Sequence, residues 1–107
     1  MNYEIIITNT ANLDLQKITN DVLSVSRSVD ITINFIEELK TSLERLKTFP
    51  DSGAMPKDRY LLSQNYRFIV YKDYLAFYKI DEESKKVYVE TIFNGKLDYT
   101  RILKDLI

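Results

Sequence analysis

The side chains available for chemistry in this 107-residue sequence are restricted, because it contains no histidine and no cysteine. The commonest general base and the commonest metal ligand are therefore missing, and disulfide and thiol chemistry are excluded. Any enzymatic reaction would have to use lysine, arginine, tyrosine, aspartate or glutamate. We predict that the protein uses no metal and no cofactor.

Within these residue types, Arg67 is the first candidate for a functional role. It opens a predicted strand whose other face is apolar, so its guanidinium is placed at a boundary between core and surface. An ion pair with a neighbouring carboxylate is the structural alternative. Asp98 and Tyr99 are further candidates, Tyr99 for stacking or proton transfer and Asp98 as an acid in the first turn of a helix.

The charged residues are distributed unevenly along the chain, although the net charge is only -1. Residues 1–56 carry more acidic than basic side chains, and residues 57–107 carry more basic than acidic ones. The second half is therefore the better place to look for an anionic partner. With a sequence pI near 5.4, the chain lacks the strong positive field typical of proteins that bind nucleic acid constitutively.

The composition is that of an ordinary globular protein of one domain spanning residues 1–107. No segment approaches the ~20 consecutive apolar residues that cross a bilayer, and the N terminus lacks the features of a signal peptide. We therefore expect a cytoplasmic protein without a membrane partner.

Apolar residues at helical spacing predict two consecutive helices after a first strand at residues 2–8. Asn9 or Thr10 would cap the first helix, and Ser28 would cap the second, which ends before Phe49 and Pro50. The short connection predicts an antiparallel hairpin, and its apolar faces require a sheet to pack on. The apolar stripes comprise Ala11, Leu15, Ile18, Val22 and Val25 in the first helix, and Val29, Ile33, Ile36, Leu39, Leu43 and Leu46 in the second.

The second half of the chain has the period of β-strands. Residues 51–64 show neither period and are predicted to be a loop. Three strands follow at residues 66–71, 74–80 and 86–93, with connections short enough for an antiparallel meander. Residues 97–107 are predicted to form a short C-terminal helix. The expected fold is α+β in the order β-α-α-β-β-β-α, with a buried first strand.

This order and several local motifs resemble the RelE/ParE superfamily of toxins from type II toxin–antitoxin systems. The resemblance covers nearly the whole chain, through residues 46–53, 66–70, 73–81 and 92–103. Its most specific motifs are Tyr-Arg at 66–67, Tyr-x-x-Phe-Tyr at 74–78 and Asp-Tyr at 98–99. The resemblance implies a toxin that is held inactive by a cognate antitoxin bound in an apolar groove between the helical hairpin and the sheet.

The same resemblance implies a catalytic set of Arg67, Lys96 and Tyr99 for members that cut messenger RNA on the ribosome, with Arg67 near Lys96. Two positions depart from that pattern. Leu75 stands where such members carry an arginine, and Lys96 is the one cation left in a segment that usually holds two or three. Removing one charge stabiliser can lower such a rate by ~10²–10³.

Two main functional classes remain open from the sequence. The first is a ParE-type poison that inhibits DNA gyrase by binding it, and the departures and the acidic pI favour this class. The second is a RelE-type endoribonuclease that acts on messenger RNA at the ribosome, which the retained Arg67 and Tyr99 support. An inactive relative that only binds its antitoxin is a third possibility.

Overall fold

A mixed four-stranded sheet with a helical hairpin on one face makes up the computed structural model, which describes residues 2–96. The strand order is β1-β4-β3-β2, with β1 parallel to β4 and the other neighbours antiparallel. The predicted α+β class, hairpin and meander are confirmed. The elements are β1 (Glu4–Ile7), α1 (Asn9–Ser26), α2 (Val29–Glu44), α3 (Arg59–Ser63), β2 (Arg67–Tyr71), β3 (Tyr74–Asp81) and β4 (Lys86–Asn94).

Both hairpin helices begin at a side-chain cap. The Thr8 hydroxyl accepts a hydrogen bond from the Ala11 N–H at 3.2 Å. The prediction of Asn9 or Thr10 as this cap was wrong, because Thr8 is still extended and the helix already begins at Asn9. The predicted Ser28 cap of α2 is confirmed, with its hydroxyl accepting from the Ile31 N–H at 3.2 Å.

The main core lies between the hairpin and one face of the sheet. Its buried residues alternate along the strands and recur every three or four positions along the helices, as burial of one face requires. They are Ala11, Leu15, Ile18, Leu39, Leu43 and Leu46 from the helical part, and Ile69, Ala76, Tyr78, Val87, Val89 and Ile92 from the sheet.

The predicted helical stripes are not buried along their whole length. Val22 is half-buried, whereas Val25, at the loop end of α1, is 87% exposed. Val29 and Ile33, in the first half of α2, are also exposed. The two stripes therefore leave the sheet near the α1–α2 connection and present apolar side chains to solvent.

The segment 51–64 is not the plain loop that the sequence predicted. It includes the end of a short 3₁₀ helix at Pro50–Ser52, followed by α3, in which the Asp58 carboxylate accepts from the Leu61 N–H at 3.0 Å. A five-residue helix is too short to show a 3.6-residue period, which explains why it was missed. A second apolar cluster joins it to the opposite sheet face through Leu61, Tyr66, Phe77 and Phe93.

The expectation that the first strand is buried was also wrong. β1 lies at an edge of the sheet, where Glu4 is exposed and Ile5, Ile6 and Ile7 are only half-buried. The predicted C-terminal helix falls outside the described residues. No helix within residues 2–96 is both long enough and apolar enough to cross a membrane.

Candidate functional site

Arg67 begins β2 opposite Tyr78, and its guanidinium is directed toward the chain segment that follows the hairpin. Nη1 donates to the carbonyl oxygens of Asp51 and Gly53, each at 3.2 Å. Nε lies 4.0 Å from the Asp51 carboxylate, and only 23% of the Arg67 side chain is exposed. Three of its contacts are thus with its own chain, which is the structural role considered from the sequence.

Tyr78, on the neighbouring strand β3, binds the same segment. Its hydroxyl donates to the Pro50 carbonyl at 2.6 Å and accepts from the Gly53 N–H at 3.0 Å. Burial raises the pKa of Tyr78 above its ordinary value. A Cβ atom on Gly53 would lie 2.7 Å from the Tyr78 ring and 2.9 Å from the Phe68 carbonyl, so a glycine is required by close approach. Arg67 and Tyr78 therefore fasten the Pro50–Gly53 segment to the sheet.

Lys96 lies at the other end of the strands. It follows β4, and its Nζ is 3.4 Å from Asp73 Oδ1 in the turn between β2 and β3, while 76% of its side chain is exposed. The Gly95 N–H donates to the Asp73 carbonyl at 2.7 Å, which fixes the chain beside that turn. Lys96 is therefore a surface cation paired with a surface carboxylate.

The structure does not bring Arg67 and Lys96 together, although the resemblance placed them near each other. Arg67 pairs with Tyr78, and Asn94, just before Lys96, is opposite Tyr74. The four residue steps between Tyr78 and Tyr74 span roughly 13 Å at about 3.3 Å per residue. Tyr99 and Asp98 lie outside the described residues.

An open groove of about 590 Å³ lies between α1, Phe35 of α2 and the ends of β3 and β4. We call it the α1–β4 groove. Its apolar surface includes the exposed Val25 at the end of the α1 stripe. The apolar lining consists of Ile18, Val22, Val25, Phe35, Ile92 and Phe93, and the charged lining of Asp14, Lys17, Asp21 and Asp73.

Acidic side chains dominate the charge of the α1–β4 groove. Asp14 is used internally, since its carboxylate accepts from the Thr91 hydroxyl at 2.8 Å and from the Ile92 N–H at 2.9 Å. Asp21 is exposed to solvent and raises the pKa of Tyr74, although burial is the larger cause of that shift. An apolar surface with an excess of carboxylates is complementary to an amphipathic segment that carries cations.

The tyrosines near the β2–β3 turn serve packing. Phe35 contacts Tyr71 and Tyr74 edge to face, with ring centroids 5.2 and 5.7 Å apart. The Tyr71 hydroxyl donates to the Glu38 carboxylate at 2.5 Å. Burial, followed by this hydrogen bond, raises the pKa of Tyr71 to about 12.

A second polar cluster, on the sheet face away from the hairpin, was not predicted. Tyr66 donates to the Glu90 carboxylate at 3.3 Å, and Lys79 Nζ lies 4.4 Å from the centre of the Tyr66 ring. Burial, and then Glu90, raises the pKa of Tyr66 to about 12, so its hydroxyl remains a proton donor at neutral pH. A register shift at Phe77/Tyr78 makes Glu90 an extra residue in β4, and no sequence signal marks that bulge.

Within residues 2–96, no group of three acidic side chains is placed to hold a metal ion. The chemistry of the described surface is therefore that of amines, guanidiniums, phenols and single carboxylates. Those groups bind proteins and anions, and proton transfer requires two of them to meet at one substrate atom.

Comparison with known proteins identifies the group to which this fold belongs. The family described as the ParE toxin of type II toxin–antitoxin systems, parDE, matches residues 5–99. The chain belongs to this ParE toxin family. The match extends from β1 through the strands and includes Arg67, Lys96 and Tyr99, so the resemblance inferred from the sequence is confirmed.

Solved structures with the same fold come from both branches of the superfamily. A chain of the chromosomal ParDE system of P. aeruginosa has a TM-score of 0.70 and 14% identity, covering 86% of this chain and 95% of that one. A chain of the RelBE2 toxin–antitoxin complex of Mycobacterium tuberculosis has a TM-score of 0.61 and 20% identity, covering 88% and 99%.

The isolated E. coli RelE toxin has a TM-score of 0.59 and 14% identity, covering 98% of this chain and 99% of that one. A comparison with curated proteins found no match. At these identities the likeness to solved structures establishes the ParE-family fold and leaves the target to be argued from the chain itself.

Proposed function

We propose that this ParE-family chain is a growth-inhibiting toxin that poisons DNA gyrase by binding it, and that a cognate antitoxin neutralises it. The observation that carries the proposal is the separation of Arg67 from Lys96. Each cation is engaged by its own chain, Arg67 with Asp51 and Gly53, and Lys96 with Asp73.

Cleavage of RNA requires a base, an acid and a cation around one phosphate, each within a few ångströms of the reacting atoms. Arg67 and Lys96 extend from positions that are offset by roughly 13 Å along β3, and each side chain is held by a different segment, so the two cations are not gathered around one phosphate. Leu75, at the position of the family's arginine, packs into the second apolar cluster and faces Gly95. Leu75 therefore contributes to packing, whereas the RNA-cleaving members carry a positive charge at this position.

The antitoxin has a suitable receptor in the α1–β4 groove. Val25, Val29 and Ile33 are exposed apolar residues in the half of the hairpin next to the α1–α2 connection, and Val25 lines the groove. Exposed apolar side chains beside an apolar groove are a common feature of protein interaction sites, which supports a protein partner here. The structures of ParDE and RelBE2 with the same fold come from toxin–antitoxin systems, which supports an antitoxin as that partner.

The alternative is a RelE-type endoribonuclease that acts at the ribosome through Arg67, Lys96 and Tyr99. In that case Arg67 would have to leave the Asp51 and Gly53 carbonyls when RNA binds. The same experiment distinguishes the two functions.

The test is inducible expression of the chain in bacteria, alone and together with its neighbouring reading frame. We expect growth arrest that the neighbour relieves, intact RNA 5′ ends, a DNA-damage response, and inhibition of purified gyrase by the purified chain. New RNA ends that disappear with Lys96→Ala, a surface change that spares the core, would establish the nuclease instead. Normal growth would refute the toxin function.

A further inference from the structure

Large apolar side chains are exposed on either side of the segment Pro50–Gly53. Phe49 precedes the segment and is 65% exposed, and Met55 follows it and is 59% exposed. The Ala54 N–H donates to the Phe68 carbonyl at 2.8 Å, so the backbone that leads to Met55 is held against the edge of β2. Both side chains therefore project from backbone that the sheet fixes in place.

The segment between Phe49 and Met55 is fixed by polar contacts. Four of its backbone groups hydrogen-bond to the Arg67 guanidinium or the Tyr78 hydroxyl, at distances from 2.6 to 3.2 Å. A surface that is already ordered loses little conformational entropy when a partner binds, so a fixed segment favours binding. The contacts of Arg67 and Tyr78 thus also position Phe49 and Met55 for contact with another molecule.

Cations flank these two apolar side chains. The Arg45 carbonyl accepts from the Phe49 N–H at 2.8 Å, and the charge of Arg45 opposes the rise in the pKa of Tyr78 that burial causes. Lys57 comes two residues after Met55. Arg45 and Lys57 are exposed, and neither has a carboxylate within 4.0 Å among residues 2–96. We call Arg45, Phe49, Met55 and Lys57 the Phe49–Met55 surface.

The acidic side chains in the same stretch of chain have partners within the chain. Glu44 lies 4.0 Å from Lys47, and Asp51 lies 4.0 Å from Arg67. The Asp58 carboxylate caps α3. The Phe49–Met55 surface therefore carries an excess of positive charge, whereas the α1–β4 groove is acidic.

This charge indicates which occupant is complementary. A cationic segment that suits the α1–β4 groove would be repelled here, and a two-fold dimer would bring the Arg45 and Lys57 side chains of both copies to one interface. Nucleic acid is poorly matched, because the sequence pI is near 5.4 and the centre of the surface is apolar. Aromatic residues, methionine and arginine are enriched in protein interfaces. An anionic protein surface is the complementary partner.

The Phe49–Met55 surface is separate from the α1–β4 groove. It adjoins Arg67 at the start of β2, whereas the groove extends to Tyr74 and Asn94. These two positions are offset by roughly 13 Å along β3. A partner in the groove and a partner on the surface therefore contact different residues.

We propose that the Phe49–Met55 surface docks this chain on its target enzyme, at an acidic and partly apolar patch of that protein. This inference rests on the proposed function, which gives DNA gyrase as the target, and it assigns the docking surface. Phe49 is the apolar anchor at the centre of the contact. Arg45 and Lys57 pair with carboxylates of the enzyme around it.

Binding to purified DNA gyrase tests the anchor. The full chain is titrated against immobilised gyrase by biolayer interferometry. We expect Phe49→Ala to raise the Kd at least about tenfold, as loss of an interface hot spot does. Leu13→Ala is the matched control, because Leu13 is 64% exposed on α1, and it should leave the Kd unchanged. Thermal midpoints close to that of the parent chain check that both variants fold.

Charge reversal tests the cations independently of the anchor. Arg45→Glu and Lys57→Glu should each raise the Kd for gyrase roughly threefold to tenfold at low salt, and less at high salt. Lys72→Glu, an exposed charge in the β2–β3 turn, is the control and should have little effect. Phe49→Ala and Arg45→Glu should bind the product of the neighbouring reading frame with the affinity of the parent chain.

The outcomes separate the docking surface from the proposed function. Binding of gyrase by every variant with the affinity of the parent chain would overturn the docking surface and leave the gyrase poison intact. An equal loss of affinity for the antitoxin would assign the surface to the antitoxin and overturn the inference. Binding of a DNA duplex that Phe49→Ala and Arg45→Glu abolish would make it a nucleic-acid site instead. Failure of the parent chain to bind gyrase would overturn both proposals.

Discussion

The side chains best suited to chemistry have structural roles in this chain. The Arg67 guanidinium and the Tyr78 hydroxyl approach the Pro50–Gly53 segment together and satisfy four of its backbone groups. Buried polar groups cost free energy unless they are paired, so these bonds fix the segment in place. An arginine at the start of a strand can therefore be predicted from sequence, but its partner depends on a segment that has no periodic signal.

Gly53 is expected to tolerate no side chain. Gly53→Ala should lower the free energy of unfolding by about 2–3 kcal/mol, because the added Cβ meets the Tyr78 ring and the Phe68 carbonyl. Urea denaturation measures the change. Gly95→Ala is the matched control: its Cβ would lie 3.2 Å from the movable Leu75 side chain, so a smaller loss is expected. Equal losses in both variants would contradict the close approach.

High pH should destabilise the fold through its buried phenols. The pKa of Tyr66 and that of Tyr71 are raised from 10.0 to about 12 in the folded chain, first by burial. Their contribution is complete below the unfolded pKa of 10.0 and is lost as pH rises through the folded value. We expect the free energy of unfolding to fall between pH 10 and about 12. Part of the tyrosinate absorbance should develop only near the upper end of this range, and Tyr66→Phe should reduce that part. Titration of every tyrosine near 10 would contradict this.

The elements show which parts of the fold follow from sequence and which do not. Periodicity predicted both hairpin helices and the three strands of the meander, since the spacing of apolar residues in a long amphipathic segment indicates whether it is a helix or a strand. It missed α3, which is five residues long, and the β4 bulge at Glu90, which depends on the pairing of two strands. The burial of β1 was overestimated, because an isoleucine run indicates a strand without indicating its place in the sheet.

A substitution in the connection between α1 and α2 is expected to stabilise the fold. Arg27 follows α1 in the left-handed conformation, with φ 54° and ψ 30°. A side chain is disfavoured there by about 1 kcal/mol, so Arg27→Gly should raise the thermal midpoint slightly. Ser26→Gly, one residue earlier and inside the helix, should lower it. A lower midpoint for Arg27→Gly would show that the arginine side chain contributes more than its backbone costs.

At the scale of the whole molecule, the described residues form two cavities on the hairpin side of one sheet. The α1–β4 groove is acidic and lies at the α1–α2 end, and a smaller cavity of about 320 Å³ between β1 and the other end of the hairpin is lined by Lys40, Glu44 and Lys47. A single partner chain that crossed the hairpin would meet opposite charges at its two ends. From sequence, the groove between hairpin and sheet could be predicted, but its charge could not, because strand order decides which carboxylates converge.

The acidic character of the groove predicts a charge-dependent affinity for the antitoxin. Asp21→Lys should weaken the complex roughly tenfold at low salt and less at high salt, because the exposed charge is screened. Glu83→Lys, an equal change of charge in the β3–β4 connection, is the control and should have little effect. Titration calorimetry at two salt concentrations measures both. Unchanged affinity for Asp21→Lys would remove the groove as the cationic partner's site.

The parallel pairing of β1 with β4 has a consequence for synthesis. The first strand of the chain finds its sheet partner in β4, which ends at Asn94 and is the last of the four strands along the chain. The main core therefore cannot close until β4 has left the ribosome, because β1 has no earlier strand to join. We expect a nascent chain that is truncated before β4 to remain unfolded, which its rapid digestion by a protease would show. A ParE-family chain built in this order cannot complete its sheet before β4 has left the ribosome.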